Sequence, residues 1–200
     1  MPVYTLADIA THREEIRKSR FLALAAPVTT PDAAMAFIAT HADATASHNC
    51  WAWRIGSVYR FHDAGEPGGT AGRPILAAID GQECDRVAVV VTRWFGGILL
   101  GAGGLMRAYG GCAATCLRLA NRVPIVEAIV VTMACTFAEM PVLRARLRDH
   151  AANLESEDFT GDGAVWRVRL PRERALAWAA MVSDVTRGRV QLAEQIKRVD

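Results

Sequence analysis

Three arginines border the glycine-rich segments of this chain. Arg73 follows Gly72, Arg93 precedes Trp94-Phe95-Gly96-Gly97, and Arg107 lies just past Gly101, Gly103 and Gly104. A guanidinium offers a fork of donors that matches a phosphate. Bare glycine N–H groups at the start of a helix add further donors and a favourable dipole. If these loops meet in space, Arg73, Arg93 and Arg107 line one basic cleft with Trp94 at its side. Proteins that hold single-stranded nucleic acid use that combination of charge and aromatic surface. The competing reading is structural. The glycines then serve tight turns and close packing, and Arg93 is buried as the partner of Asp63 or Glu66. The segment is not a P-loop, because no Gly-Lys-Ser/Thr follows, and Gly101–Met106 lacks the GxGxxG spacing.

A second set of residues could do acid–base work: His48, His62, Asp63, Glu66 and Thr70. None stands at a spacing diagnostic of a nucleophile–base pair or a metal triad. No catalytic residue, metal or cofactor is therefore expected. Asp63 and Glu66 in a glycine-rich loop can equally cap turns, and His48 beside Asn49 can be a structural hydrogen-bonder. The five cysteines (Cys50, Cys84, Cys112, Cys116 and Cys135) are odd in number and form no CxxC. They read as free thiols in a reducing compartment, with Cys112 and Cys116 as small core residues of a helix.

These residues need a scaffold, and the composition supplies one. At 52% hydrophobic and 22% charged, the 200 residues exceed what a disordered chain carries. No apolar run approaches the roughly 20 residues that span a bilayer. Met1–Glu15 has three acidic residues and no apolar stretch, so no secretory signal is expected and a cytoplasmic location is. The net charge of +2 is too balanced to mark a nucleic-acid binder by itself. Only Lys18 and Lys197 are lysines, so 21 of the 23 basic residues are arginine. GC-rich codon usage explains that bias more simply than phosphate binding does.

Arg20–Val28 reads as a strand, and Thr30-Pro31-Asp32 opens a helix with a cap, a proline and an acidic residue in order. Trp51–Ile55 and Val58–Phe61 form a hairpin about Gly56-Ser57. The glycine-rich run His62–Gly72 is a loop, and a short apolar stretch, Pro74–Ile79, follows it. Val87–Val91 is a β-branched run expected at the centre of a sheet. A helix then runs to about Asn121, burying Leu105, Tyr109, Cys112, Cys116 and Leu119 on one stripe, with Arg107 and Arg118 on a wet face. Val123-Pro124 is a linker. Beyond it the pattern reads strand Ile125–Ala134, helix to His150, strand Asn153–Phe159, strand Ala164–Leu170, helix Pro171–Thr186 and strand Arg189–Ile196. That βαββαβ order is ferredoxin-like. A capping box at Thr136 and Glu139 conflicts with Pro141, which would then lie too deep, so that helix starts later.

Several unusual strings occur in an order that resembles the IMPACT/YigZ family. They are Lys18-Ser19-Arg20-Phe21, His48-Asn49-Cys50-Trp51-Ala52, Asp63–Leu76, Arg93–Gly101 and Gly103–Tyr109. The resemblance covers about Lys18 to Ala120. Ala64 departs from the family's second Asp, which weakens any metal or acid–base role for that loop. Trp94 stands where Tyr is commoner, and Cys84 where a larger aliphatic is usual. The resemblance implies an α+β protein of two domains. Residues 1–125 would form an IMPACT-type domain with a left-handed βαβ fold similar to domain IV of elongation factor G. Residues 126–200 would form the ferredoxin-like domain. The matched strings add Lys18 and Arg20 to the supporting polar residues. Eukaryotic relatives act in translational control through an activator of an initiation-factor kinase, partly by an extra N-terminal domain for which these 200 residues leave no room. Three functions are thus weighed. RNA or ribosome binding linked to translation regulation stands first, a protein-interaction module without nucleic acid second, and a hydrolase or phosphate-binding enzyme third.

Overall fold

The computed structural model describes residues 3–197. Contacts divide the chain between Ile125 and Val126 into two compact units. Both mix helix and sheet, so the protein is α+β.

The N-terminal unit is built on a five-stranded antiparallel sheet of order β2-β3-β6-β4-β5. Its strands are β2 (Ala10–Ile16), β3 (Ser19–Pro27), β4 (His48–Ile55), β5 (Val58–His62) and β6 (Val87–Trp94). β3 and β4 both run antiparallel to β6, hence parallel to each other, and α1 (Pro31–His41) carries the chain over the strand between them. Thr30 caps α1 by accepting from the Ala33 N–H, as the sequence predicts. The β6 run is buried throughout because both faces are covered. Val87, Val89 and Val91 meet α2 (Gly72–Gly81) and α3 (Ala102–Leu119), while Ala88 packs toward α1 with Val28, Ala34, Ile38 and Trp53.

The structure gives an element to one stretch that the sequence reading leaves unassigned and departs from that reading at two other places. The apolar stretch Pro74–Ile79 forms most of α2, burying Ile75, Leu76 and Ile79 at helical spacing. Leu119 does not join the buried stripe of α3; it is exposed in the last turn, and Leu117 is buried instead. Val123-Pro124 is not a free linker. It belongs to β7 (Arg122–Pro124), which pairs antiparallel with β1 (Tyr4–Leu6). The strands β1 and β2 went unread because three residues give no period, and Ala-Thr-His-Arg-Glu-Glu-Ile places polar groups on both faces.

The C-terminal unit is a three-stranded antiparallel sheet of order β8-β10-β9, with β8 (Ala128–Thr136), β9 (Asn153–Phe159) and β10 (Gly163–Pro171). It packs against α4 (Met140–Arg146) and α5 (Ala175–Val185) through Leu143, Trp166, Trp178 and Val182. The Glu139 carboxylate accepts from the Thr136 N–H, and α4 starts at Met140, so Pro141 sits harmlessly in the first turn. The expected last strand, Arg189–Ile196, is absent. Leu192 and Ile196 are buried while Glu194, which a strand would turn to the same face, is exposed, and the chain forms α6 (Ala193–Lys197). The Gln195 amide takes the missing strand's place on β8, accepting from the Thr132 N–H at 3.0 Å and donating to the Thr132 carbonyl at 2.9 Å. Among the described residues no helix is long and apolar enough to cross a membrane.

All five cysteines are free and buried, with Cys112 and Cys116 on the core side of α3. Burial pushes the Cys50 thiol up to about 12 and Cys116 to about 11, and raises Cys84, Cys112 and Cys135 as well. Protonated thiols are poor nucleophiles at neutral pH. Alkylation followed by mass spectrometry should therefore find all five unmodified in the native protein and all five modified after denaturation. A thiol that reacts rapidly in the native state would contradict its burial.

Candidate functional site

The antiparallel registers set Phe21 of β3 opposite Arg93 of β6, and Arg93 opposite His48 of β4. Opposed residues share a sheet face, here the one covered by α3 and the 63–71 loop. Arg93 is buried there against the Phe21 and Phe95 rings, its guanidinium carbon 5.6 and 5.4 Å from their centroids. Glu66, also buried, comes down from the loop to meet it. One carboxylate oxygen, Glu66 Oε1, accepts from Arg93 NH1 and from the Tyr109 hydroxyl, each at 2.7 Å. Burial raises the Tyr109 phenol far above its ordinary range, so it stays a donor. His48 Nδ1 lies 2.9 Å from the Ala64 carbonyl, which can only accept, so that nitrogen carries the proton. Nε2 then faces Glu66 Oε1 at 3.8 Å. Arg93 NH2 donates to Ser19 Oγ, which also accepts from the Gly96 N–H.

A second carboxylate organises the rest of the loop. Asp63 Oδ1 accepts from the N–H groups of Ala71 and Gly72, and Oδ2 from that of Gly69. Partial burial works to raise this carboxyl, yet the three donors together outweigh it and hold it below the usual carboxylate range. Asp63 thereby occupies the positive end of α2, where an anion would otherwise bind. Thr70 is buried with its hydroxyl donated to the Pro67 carbonyl.

The predicted cleft of three arginines does not form. Arg93 is held inside by Glu66, one of the two partners the structural reading offered. It reaches the wall of a cleft of about 470 Å³ with Ser47, His48, Phe95, Leu99 and Gly101. Arg73 and Arg107 share a different groove, also about 470 Å³, over Gly69, Gly110 and Gly111. Arg20 stacks on Trp94, 5.2 Å from the ring centroid, in a third cleft. Lys18 is exposed in the β2–β3 turn with a left-handed backbone. Gly103 and Gly104 form the first turn of α3, whose N-cap, Gly101, supplies no side-chain acceptor.

Gly96 has a packing role. A Cβ there would stand 1.9 Å from the Lys18 carbonyl oxygen, so only glycine lets the β6–α3 loop close on the β2–β3 turn. Gly97 needs its φ of +83° and faces open space. Sequence reasoning missed Ser19 and Tyr109 as members of the polar node. A tyrosine on an apolar stripe was the available signal, since a buried hydroxyl requires a partner. Among the described residues, His12, Glu14 and Cys112 bring metal-ligating atoms close together, beyond the Phe21 ring from Arg93.

Removing one member of the Arg93–Glu66 pair strands the other charge. Arg93→Met or Glu66→Gln should each cost about 3–5 kcal/mol in urea unfolding of the N-terminal unit. The double variant should lose less than the two combined, and additive losses would refute the coupling. Gly96→Ala should destabilise the unit more than Gly97→Ala, for which strained φ alone costs about 1 kcal/mol. Equal losses in the same denaturation experiment would count against the close approach to Lys18.

The comparisons with known proteins agree with this geometry. A family model described as the Impact N-terminal domain matches residues 17–117, which take in every side chain of the Glu66 node. The chain is 46% identical over 178 residues to an IMPACT family member of Thermus thermophilus, covering 88% of this chain and 97% of that protein. It is 36% identical to YigZ of Escherichia coli, covering 90% and 91%, and 31% identical to YvyE of Bacillus subtilis, covering 96% and 90%. A crystal structure of a hypothetical protein superposes with a TM-score of 0.64 at 34% identity, covering 95% of each chain. With the matched strings lying on the folded node and the likeness running through both units, the chain belongs to the IMPACT family.

Proposed function

We propose that this protein is a cytoplasmic RNA- or ribosome-associated binding protein linked to regulation of translation, with Arg73 and Arg107 as its phosphate contacts. The groove between α2 and α3 carries this reading. Both guanidinium groups are exposed there, and neither has a carboxylate partner among the described residues. The groove is lined by glycine backbone at Gly69, Gly110 and Gly111, so a ligand backbone can approach closely. Arg20 on Trp94 and the exposed Phe95 ring offer flat surfaces for unpaired bases. Arg93 is neutralised by Glu66 and is not counted among the contacts.

One observation favours a protein partner as the second reading. Phe95, Ile98 and Leu99 of the β6–α3 loop are all exposed, with Leu99 81% accessible. Contiguous apolar exposure of this kind marks interaction surfaces.

Binding of single-stranded RNA as a function of salt separates the two. Each phosphate contact contributes a log–log slope of about −0.7, so two arginines should give roughly −1.4. Arg73→Ala and Arg107→Ala should each remove about one contact from the slope, with unchanged melting and little change in base preference. Arg187→Ala, in the other unit, should leave the slope unaltered. If stable variants of both groove arginines bind RNA as the parent does, the groove has no part in RNA binding. Copurification that survives nuclease and is lost on Leu99→Ser would then favour the apolar loop and a protein partner.

A further inference from the structure

The edge strand β2 turns two metal-ligating groups inward. Its half-buried row is Ala10, His12, Glu14 and Ile16, while Thr11, Arg13 and Glu15 face out. His12 and Glu14, two residues apart, therefore project from the same side of the strand. That side packs on α3, which presents the fully buried Cys112. One donor atom from each of His12, Glu14 and Cys112 lies within 4.8 Å of the others.

A second observation concerns the same place. Glu14 Oε1 is buried without a hydrogen bond of ordinary geometry, and the donor that faces this carboxylate is the weak one of the Cys112 thiol. A carboxylate oxygen removed from water and offered no N–H or O–H donor is costly, which makes such groups rare in folded proteins. The nearest ordered cation in register, Arg93, does not serve it. Glu14 lies opposite Phe21 and Phe21 opposite Arg93, so the phenylalanine ring separates the two, and Arg93 is committed to Glu66.

We propose that His12, Glu14 and Cys112 form a binding site for a single zinc ion. The donor set argues for the metal. Imidazole, carboxylate and thiolate together suit a borderline-soft ion that accepts tetrahedral N, O and S ligands. Magnesium and calcium prefer oxygen alone. In a tetrahedral zinc site with bonds of about 2.0–2.3 Å, neighbouring donors stand about 3.5 Å apart. Rotamer adjustment of His12 and Glu14, which are half-exposed on an edge strand, closes that gap without moving the core. Binding exchanges the Cys112 S–H bond for an S–Zn bond and releases the proton to solvent. Three protein ligands leave a fourth position, reached from the solvent side of β2, for water. The bound ion satisfies Glu14 Oε1 and fastens the edge strand to α3. This site is independent of the Arg73–Arg107 groove, and either can stand without the other.

The test uses the full chain, reduced and freed of metal, titrated with zinc or with cobalt(II) as an optical probe. One equivalent of zinc should bind and raise the melting temperature of the parent. Cobalt should give a thiolate-to-metal charge-transfer band in the near ultraviolet. His12→Ala and Glu14→Gln should each weaken zinc binding by at least about tenfold, and Cys112→Ala should abolish the cobalt band, while Cys50→Ala changes neither. Should Cys112→Ala fail to fold, the His12 and Glu14 variants decide the matter. Failure of the parent to bind zinc, or binding untouched by His12→Ala and Glu14→Gln, overturns the proposal. The inward polar pair would then serve only to keep the sheet edge from pairing with another chain.

Discussion

A single carboxylate oxygen, Glu66 Oε1, joins the 63–71 loop, the central strand β6 and helix α3 at one buried point. Glu66 lies in the 63–71 loop, between the end of β5 and the start of α2, where three glycines give the backbone high entropy to lose. The loop adds no strand to the sheet. Its attachment comes from the buried ion pair with Arg93 at 2.7 Å, from the Tyr109 hydroxyl of α3, and from His48 of β4 close by. A buried pair of this kind gains little over a well-packed apolar one, but losing either partner leaves a charge that the interior cannot solvate. Its value lies in specificity. Arg93 also reaches Ser19, which holds the Gly96 amide, so the β2–β3 turn and the β6–α3 loop are placed from the same point.

This node decides which charges are left for a ligand. Strings rich in Arg, Gly and carboxylate look alike in sequence whether they face a phosphate or each other. Here Asp63 occupies the donor groups at the start of α2, and Glu66 occupies Arg93. Arg73 and Arg107 escape because, among the described residues, no acidic side chain lines their groove. The positive surface is thus the remainder after internal pairing. That explains why a chain with a net charge of only +2 can still line one groove with two guanidinium groups that have no carboxylate partner among the described residues.

Much of the scaffold was legible because its signals are periodic. The β-branched run Val87–Val91, the Thr30-Pro31-Asp32 helix start and the Gly56-Ser57 hairpin all depend on local rules that tertiary contacts reinforce. The failures fall where period and context disagree. Arg189–Ile196 alternates well enough to suggest a strand, yet a strand would bury Glu194 between Leu192 and Ile196, and only a helical turn buries those two and leaves the glutamate in water. β2 is hidden because its inward row contains His12 and Glu14 in place of aliphatics. At the site, residue types were readable but partners were not. Asp63 and Glu66 are equally plausible companions for Arg93 in one dimension, and only the sheet register and the fall of the loop choose Glu66. Ser19 and Tyr109 carry no motif of their own, and their roles follow from burial.

The two units also close a sheet edge in different ways, and the contrast bears on what β2 is for. In the C-terminal unit the β8 edge is met by the Gln195 amide, whose donor and acceptor reproduce the pair of hydrogen bonds a neighbouring strand would make at Thr132. That device needs no polar group in the core. At β2 the chain instead turns a histidine and a glutamate inward against a buried cysteine, leaving one carboxylate oxygen unsatisfied. Edge protection alone asks for a charge, and a lysine or an outward carboxylate would supply it without burying an orphan acceptor. The mixed N, O and S donors exceed that requirement. A cation held among them would turn the orphan carboxylate oxygen into a ligand and fasten the edge strand to α3.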